Sequence, residues 1–579
     1  MHQYVQLVEG HREGGKVRQR VVVTLGRLDE LKASGQLDRW AGAFSRLDPP
    51  PAGTHRDVGP LLVVVHYLAR LGLVDLVDEV APMRGRSLLT HGEVVAALVA
   101  NRLCGPAPLY DVSSWASSAA VAELLEVPAG LLNDDRLGRA LDAIAPHVQD
   151  LRAKLLLRTI KRCPLDATRL HLDLTAVRFA GHYQDSALVK KGWAAERTIK
   201  RQVKALQATT KSGVALYFRP HPGERSELPS FMEAVDTLAG SLPPGLVIVA
   251  DSGLGYVENL CAFDSSKVGF VVPLRADTGW AERFRADVSA GLGALRRLGY
   301  CSQREQRLPE KARTIWKGLL KKFPVTDSDD VCHDLRVAYI WSSEEHASVK
   351  DARERALHKA TEALGRIANG LGGRYYKTKK QVDDRVAVIL ADKVAGLIEV
   401  HTGEQAGKPT IAWRRNEEAI AAAGELDGLY AVATNLPDEE DHRLSALDVL
   451  RIYKDQWIVE QRNRDSKQTL RVRPVFLHND DRIEALMAIV GIALLIFGLI
   501  EAELREALGE DVTLPGILPE GRAAKPTARA ALAAFDGLRV TYTNSGLVLD
   551  RLSQVQRIIL ALLGVSLPWP ESPEDSDQC

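Results

Sequence analysis

Cysteine is scarce in this chain: six residues in 579, at positions 104, 163, 261, 301, 332 and 579, with no C-x2-C spacing among them. That pattern excludes a zinc-ribbon site and a disulfide framework, and it fits a reducing, cytoplasmic setting. Cys332-His333 is an isolated pair and is read as incidental. Excess charge is also missing. Lys and Arg total 75 against 75 Asp and Glu, so any surface for a polyanion must come from local segregation of charge. No apolar run reaches the roughly 20 residues that a membrane-spanning helix needs. The longest, Ala485–Ile500, has sixteen and is flanked by Asp481, Arg482 and Glu501. It is expected to form a fully buried helix rather than a membrane anchor. No signal peptide is expected either, because Met1–Glu9 runs directly into a charged turn.

What is present describes a large globular protein. Apolar residues make up 46% and charged residues 26%, and the length implies about three to five domains. Tyr4–Glu9 and Val17–Leu25 read as a β-hairpin across a Gly-rich turn. Leu47–Pro60, with its triple proline, reads as a linker or extended arm. From Leu61 to Leu157 the periodicity is helical. Thr90-His91-Gly92-Glu93 forms a capping box, and Asn133-Asp134 caps a second helix. These helices make either a binding module or a purely structural lobe. Leu151–Pro220 carries fifteen Lys and Arg against four Asp and Glu. Within it, Lys190-Lys191-Gly192-Trp193 and Arg197–Lys204 would suit phosphate contacts, although a basic run is more often a solvated face.

Three acidic residues stand out by their placement. Asp173 lies in the middle of Arg169–Phe179, an alternating strand pattern. Leu246–Gly253 is a short apolar run that ends at Asp251, and such strands deliver an acid to the rim of a sheet. Leu450–Pro474 contains no Gly or Pro before its end and reads as one long helix. Tyr453, Glu460 and Lys467 are seven residues apart and would share a face of it, with Gln456 and Asn463 on the same stripe. Taken singly, each acid is more often a cap, a turn residue or half of an i,i+4 pair.

Taken together they resemble a family. Tyr453, Glu460 and Lys467 fit the spacing Y-x2-R-x3-E-x6-K, with Gln456 where the family has Arg. Asp173-Leu174-Thr175 looks like its D-x-T block, and Asp251-Ser252-Gly253 with Asn259 is similar to its A-D-x-G block. The chain therefore resembles the DDE transposases of bacterial insertion sequences, in the Tyr-Arg-Glu-Lys branch. The similarity runs from about Tyr4 to about position 490, concentrated in these blocks.

The resemblance implies an α/β fold. A ribonuclease H-like mixed sheet with flanking helices would be interrupted by a large mixed helix and strand insertion, with a helical domain before it. The expected divisions are an N-terminal hairpin region (1–48), a helical domain (61–160), the first half of the core (165–275), an insertion (276–426), the second half (427–505), and a C-terminal helical region with an acidic tail (506–579). Strands are expected at Gln202–Thr210, Gly213–Arg219, Leu335–Ser342, Val386–Leu390 and Gly428–Thr434, and a helix at Ser348–Leu371. The implied activity is cut-and-paste transposition, with metal-dependent cleavage at element ends and strand transfer into target DNA. Asp173, Asp251 and Glu460 would be the catalytic acids and would hold two Mg²⁺ or Mn²⁺ ions, hard cations suited to carboxylates. Tyr453, Gln456, Arg464 and Lys467 would contact DNA, with Arg464 replacing part of the grip lost at Gln456 and with Arg462 and Arg471 near the same end. Trp341 or Trp413 would supply an aromatic to a displaced base. Expected partners are double-stranded DNA (terminal inverted repeats and target) and a second copy of the chain in the DNA complex, with no membrane. Two alternatives stay open: a catalytically silent DNA-binding descendant, and a metal-dependent nuclease without strand transfer.

Overall fold

The computed structural model describes residues 3–13, 16–33, 50–83, 87–179, 181–193, 199–289, 294–302, 304–391, 394–438, 443–470, 477–509 and 512–573. The protein is mixed α/β, with many helices and a large mixed sheet. It divides into two compact units, one made of Met1–Leu246 with Trp457–Cys579 and the other of Val247–Gln456.

The first unit begins with the expected hairpin, longer than its apolar pattern suggested: Tyr4–Glu13 pairs antiparallel with Lys16–Arg27. The helical region follows. Thr90 caps His91–Cys104 through a full capping box with Glu93, and Asn133 caps Asp134–Ile144 by accepting from the Arg136 amide. Each cap satisfies a backbone N–H that the first turn of a helix leaves unpaired. Beyond the helix Val148–Arg162 come the strands Arg169–Arg178, Lys190–Trp193, Ile199–Thr210 and Ala215–Pro222. Ile199–Thr210 is the hub, antiparallel to each of the other three. The short Lys190–Trp193 strand was read from sequence only as a basic run.

The core of this unit is the helix Asp480–Leu508, long and apolar enough by composition to cross a membrane. Its side chains from Ile483 to Ile500 are nearly all buried inside the unit. An element that is apolar on every side must be enclosed, and here protein encloses it. Gly498 permits the closest approach, because a Cβ there would lie 2.7 Å from the Gly213 carbonyl oxygen.

Of the segment Leu47–Pro60, positions 47–49 lie outside the described residues, and within the rest His55–Asp57 is a strand rather than a free linker. It pairs antiparallel with Arg539–Thr543, which in turn pairs with Gly546–Leu549. The C-terminal region is therefore not all helical. Its hairpin follows ordinary chemistry, with Tyr542 and Thr543 leading into Asn544-Ser545-Gly546, where Gly546 has φ +124°. The third strand comes from a position too remote to show in any local pattern: His55 Nδ1 lies 2.8 Å from Thr541 Oγ1.

In the second unit Val247–Val249 and Gly269–Pro273 run parallel. The sheet continues antiparallel through Leu429–Thr434, Cys332–Ser342, Trp316–Thr326 and Arg296–Leu298. Residues 276–426 thus contribute strands to this sheet as well as a helical lobe of their own. In that lobe the helix Ser343–Asn369 packs with Lys379–Ile389 around Leu357, Leu364, Val382 and Val386. The strand expected at Val386–Leu390 is in fact the end of the second helix. Thr378 and Gln381 form its capping box, and Val382 and Val386 recur at helical rather than strand period.

Candidate active site

Asp173 sits near the centre of its strand, opposite Gln207 of the hub strand. Period-two alternation puts Thr175 on the same face, where it is buried. The Asp173 carboxylate is half-buried and held from two directions. Oδ1 accepts from the Leu174 amide at 2.8 Å, and Oδ2 accepts from Asn463 Nδ2 at 2.7 Å. Asn463 belongs to the helix Trp457–Gln468, which also carries Glu460. A hydrogen bond therefore joins the strand of the first acid to the helix of the third.

That helix is shorter than the sequence suggested. Leu450–Pro474 is not one helix: Ala446–Lys454 ends at Asp455, the Gln456 amide closes a turn onto the Tyr453 carbonyl, and a new helix starts at Trp457. Residues 471–476, Arg471 among them, lie outside the described residues. The break has a packing reason. Val449, Leu450 and Ile452 bury in the apolar cluster of the second unit, whereas Val459 and the polar Arg462, Asn463, Asp465 and Ser466 bury in the first. Tyr453 and Glu460 consequently do not share a helix face.

Glu460 is exposed, as are Trp457 and Arg464, and Lys467 is half-exposed. Arg462 is the opposite of what its position near the phosphate-binding end suggested. It is 1% exposed and points inward. Nε donates to the Gly213 carbonyl at 2.6 Å, Nη1 to Asp465 at 3.0 Å and Nη2 to Glu501 at 2.8 Å, with the guanidinium over the Phe497 ring. Gly213 has φ +89°, a conformation that favours glycine, and a Cβ there would lie 2.7 Å from Arg462 Nη2, so a side chain would displace the guanidinium. Burial raises the Asp465 carboxyl above its usual range, against the pull of Arg462. Sequence reasoning missed this anchor because an arginine in a run of charged residues reads as solvated.

Asp251 belongs to the second unit. It follows the strand Val247–Val249 and caps the short turn Ser252–Leu254 by accepting from the Gly253 amide at 2.9 Å. Its side chain is exposed at the carboxyl end of a parallel strand pair, where ligands of open sheets bind. Asn259 closes the loop by donating to the Leu254 carbonyl. Tyr453 and Gln456 lie in the same unit. Gln456 is buried. Tyr453 is half-buried beside Tyr430, and Lys454 Nζ lies 4.6 Å from the Trp316 ring centroid, 5.7 Å from Tyr430 and 5.8 Å from Tyr453. Burial lowers the pKa of Lys454 in this aromatic surround. Trp341 donates to the Asp427 carbonyl and has Lys317 over its ring, while Trp413 packs on the helical lobe. Both are half-buried.

The residues suit a divalent cation. Asp173, Asp251 and Glu460 are hard oxygen donors, each open to solvent at least in part. Among the described residues no three His, Cys, Asp or Glu side chains are gathered into a metal-holding group. Neither unit by itself carries the full acidic set.

Comparison with known proteins identifies the chain. Residues 164–496, more than half of its length, match the family described as the transposase DDE domain, and the chain belongs to that family. It is a DNA transposase of the insertion-sequence type: residues 1–48 match the N-terminal domain of IS1634 family transposases. Residues 54–156 match a domain of unknown function. No curated protein matches the chain. Among solved structures, a cryo-electron microscopy structure of the piggyBac transposase synaptic complex with hairpin DNA is similar at 9% identity and a TM-score of 0.34, covering 78% of this chain and 77% of that one. A likeness at that level does not define the fold. Membership of the DDE family makes the protein an enzyme that acts on DNA with divalent metal ions.

Proposed function

We propose that the protein performs cut-and-paste transposition from a ribonuclease H-like core in which Asp173, Asp251 and Glu460 are the catalytic acids. The observation that carries this reading is the Asn463–Asp173 hydrogen bond, which ties the helix of Glu460 to the strand of Asp173. Asp173, Asp251 and Glu460 would hold two Mg²⁺ or Mn²⁺ ions through their carboxylates. When bound, such ions would supply the positive charge that activates an attacking oxygen and stabilises a leaving one in phosphoryl transfer. The chain's own contribution is to hold the Asp173 carboxylate in a set orientation through donors on both of its oxygens. Arg464 and Lys467, exposed and half-exposed on the Glu460 helix, would contact DNA phosphates as fixed cations. Tyr453 could add a donor through its half-exposed phenol. Gln456 is buried and would reach a phosphate only if its turn moved. The complex with element ends and target would contain two copies of the chain.

Asp173→Asn, Asp251→Asn and Glu460→Gln should each reduce cleavage of end-containing DNA by about 100-fold or more, since each removes charge that stabilises the transition state. End binding should persist, because affinity rests on the basic surface. A variant that cleaves at the wild-type rate removes that residue from the site. Joined product in a strand-transfer assay separates transposition from simple cleavage.

A further inference from the structure

We infer that Asn463 is a positioning residue for Asp173, setting the orientation of the carboxylate that binds metal; this rests on the reading of Asp173 given above. Asn463 is 5% exposed, and its Nδ2 donates to Asp173 Oδ2 at 2.7 Å. The opposite end of the amide, Oδ1, is buried and has no hydrogen-bond partner among the described residues. Turning the amide over would press that oxygen against a carboxylate, so the amide orientation is determined by Asp173 alone. A buried acceptor left unbonded is unfavourable. The fold tolerates it here because the other end of the amide makes a charge-assisted bond. The Leu174 amide fixes the second carboxylate oxygen at 2.8 Å. Donors on both oxygens hold the carboxylate plane.

The helix that carries Asn463 is itself immobilised one residue earlier. Arg462 bonds to the Gly213 turn of the same sheet and to Glu501 of the buried core helix. Asn463 therefore approaches Asp173 from a fixed direction and at a fixed helix rotation. Groups that hydrogen-bond a metal ligand orient it and tune its affinity, and their loss costs about 10- to 100-fold in metal binding or activity. Asn463 stands out in the sequence only by its place on the Glu460 stripe, and nothing local shows that its amide meets Asp173.

The test uses the full chain with Asn463→Leu, which keeps the volume and removes the donor, and Asn463→His, which restores an N–H at similar reach. Mn²⁺ affinity is read by titration calorimetry, alongside the Mn²⁺ concentration for half-maximal cleavage, end binding in EDTA and the thermal unfolding midpoint. The Leu variant should bind Mn²⁺ about 10-fold or more weakly and need correspondingly more for cleavage. Its end binding in EDTA should be unchanged, and the His variant should recover part of the loss. Should the Leu variant not fold, Asn463→Ala, which also lacks a side-chain donor, decides by the same measurements. Unaltered Mn²⁺ affinity in the donor-less variant, with Asp173→Asn abolishing both binding and cleavage, overturns the role of Asn463 alone. Wild-type Mn²⁺ binding and cleavage in Asp173→Asn would instead overturn the assignment of Asp173.

Discussion

His333, dismissed on sequence with its neighbour Cys332, shows how much one side chain's surroundings decide. Cys332 is exposed, but His333 turns inward, 4% exposed, with Nδ1 2.8 Å from Asp264 and Nε2 3.2 Å from Asp327. Both ring nitrogens face carboxylates, so both must donate, which only the protonated ring can do. The hydrogen bond to Asp264, followed by that to Asp327, raises the His333 pKa above its ordinary value. Asp264 also accepts from Asn435, so the cluster ties a helix, a strand start and a strand end together. A raised histidine contributes stability that is complete below its unfolded pKa, about 6.5, and is lost as pH rises through the higher folded value. Asp327, whose pKa is lowered chiefly by the Val331 amide, works in a different window, losing its contribution only in acid. The thermal midpoint of the wild type should therefore fall as pH rises from about 6.5 through the alkaline side, and His333→Gln should flatten that slope. Parallel profiles for the two proteins would show that the cluster does not titrate as described.

At the scale of elements, the decisive contact is the buried ion network beneath the Glu460 helix. Glu501, 2% exposed, accepts from Arg462, pairs with Arg505 at 2.9 Å and caps the helix Ala528–Ala533 through the Ala528 amide. Burial lowers the Arg505 pKa, with Glu501 opposing that shift. Such a network is weak evidence for net stability, because desolvating its charges costs as much as their attraction returns. Breaking it is another matter. Arg462→Met should destabilise the protein by about 3–5 kcal/mol, since Asp465 and Glu501 would stay buried without their main cation. A double replacement, Arg462→Met with Glu501→Leu, should cost less than the sum of the single changes. Denaturant unfolding of the single and double variants measures this, and strict additivity would mean that the pair is not coupled.

Across the whole molecule, the chain's two ends build one structure. Leu514, Ile517, Phe535, Leu538, Val540, Leu549, Ile559 and Leu560 belong to the same apolar cluster as the helix Asp480–Leu508 and the helices after Leu61. The strand Arg539–Thr543 also completes a sheet with His55–Asp57. A chain ending at residue 512 would leave the apolar faces of these helices open to water. Burying one large aliphatic side chain is worth about 1.5–3 kcal/mol, and a whole set would be lost at once. The truncated protein should lose cooperative unfolding and aggregate, although every residue proposed for catalysis is retained. A monodisperse, cooperatively folding truncation would show that the C-terminal region is an accessory.

The strands that carry Asp173 and lead to Asp251, the caps at Thr90 and Asn133 and the burial of Ala485–Ile500 were legible in the sequence because each is written locally. A cap needs a side chain three residues from its amide, a buried helix needs an unbroken apolar run, and an acid at the end of an apolar strand sits at a sheet rim. What the tertiary structure alone decided depends on partners remote in the chain. Nothing near Arg462 shows that Gly213 and Glu501 await it, so it read as a surface cation. The break at Asp455–Gln456 has no Gly or Pro to mark it, and the helices on its two sides bury their side chains in different units. The strand at His55–Asp57 exists only because residues 539–541 lie beside it. Asn463 acquires its role from Asp173, a residue 290 positions away that presents one carboxylate oxygen to its amide.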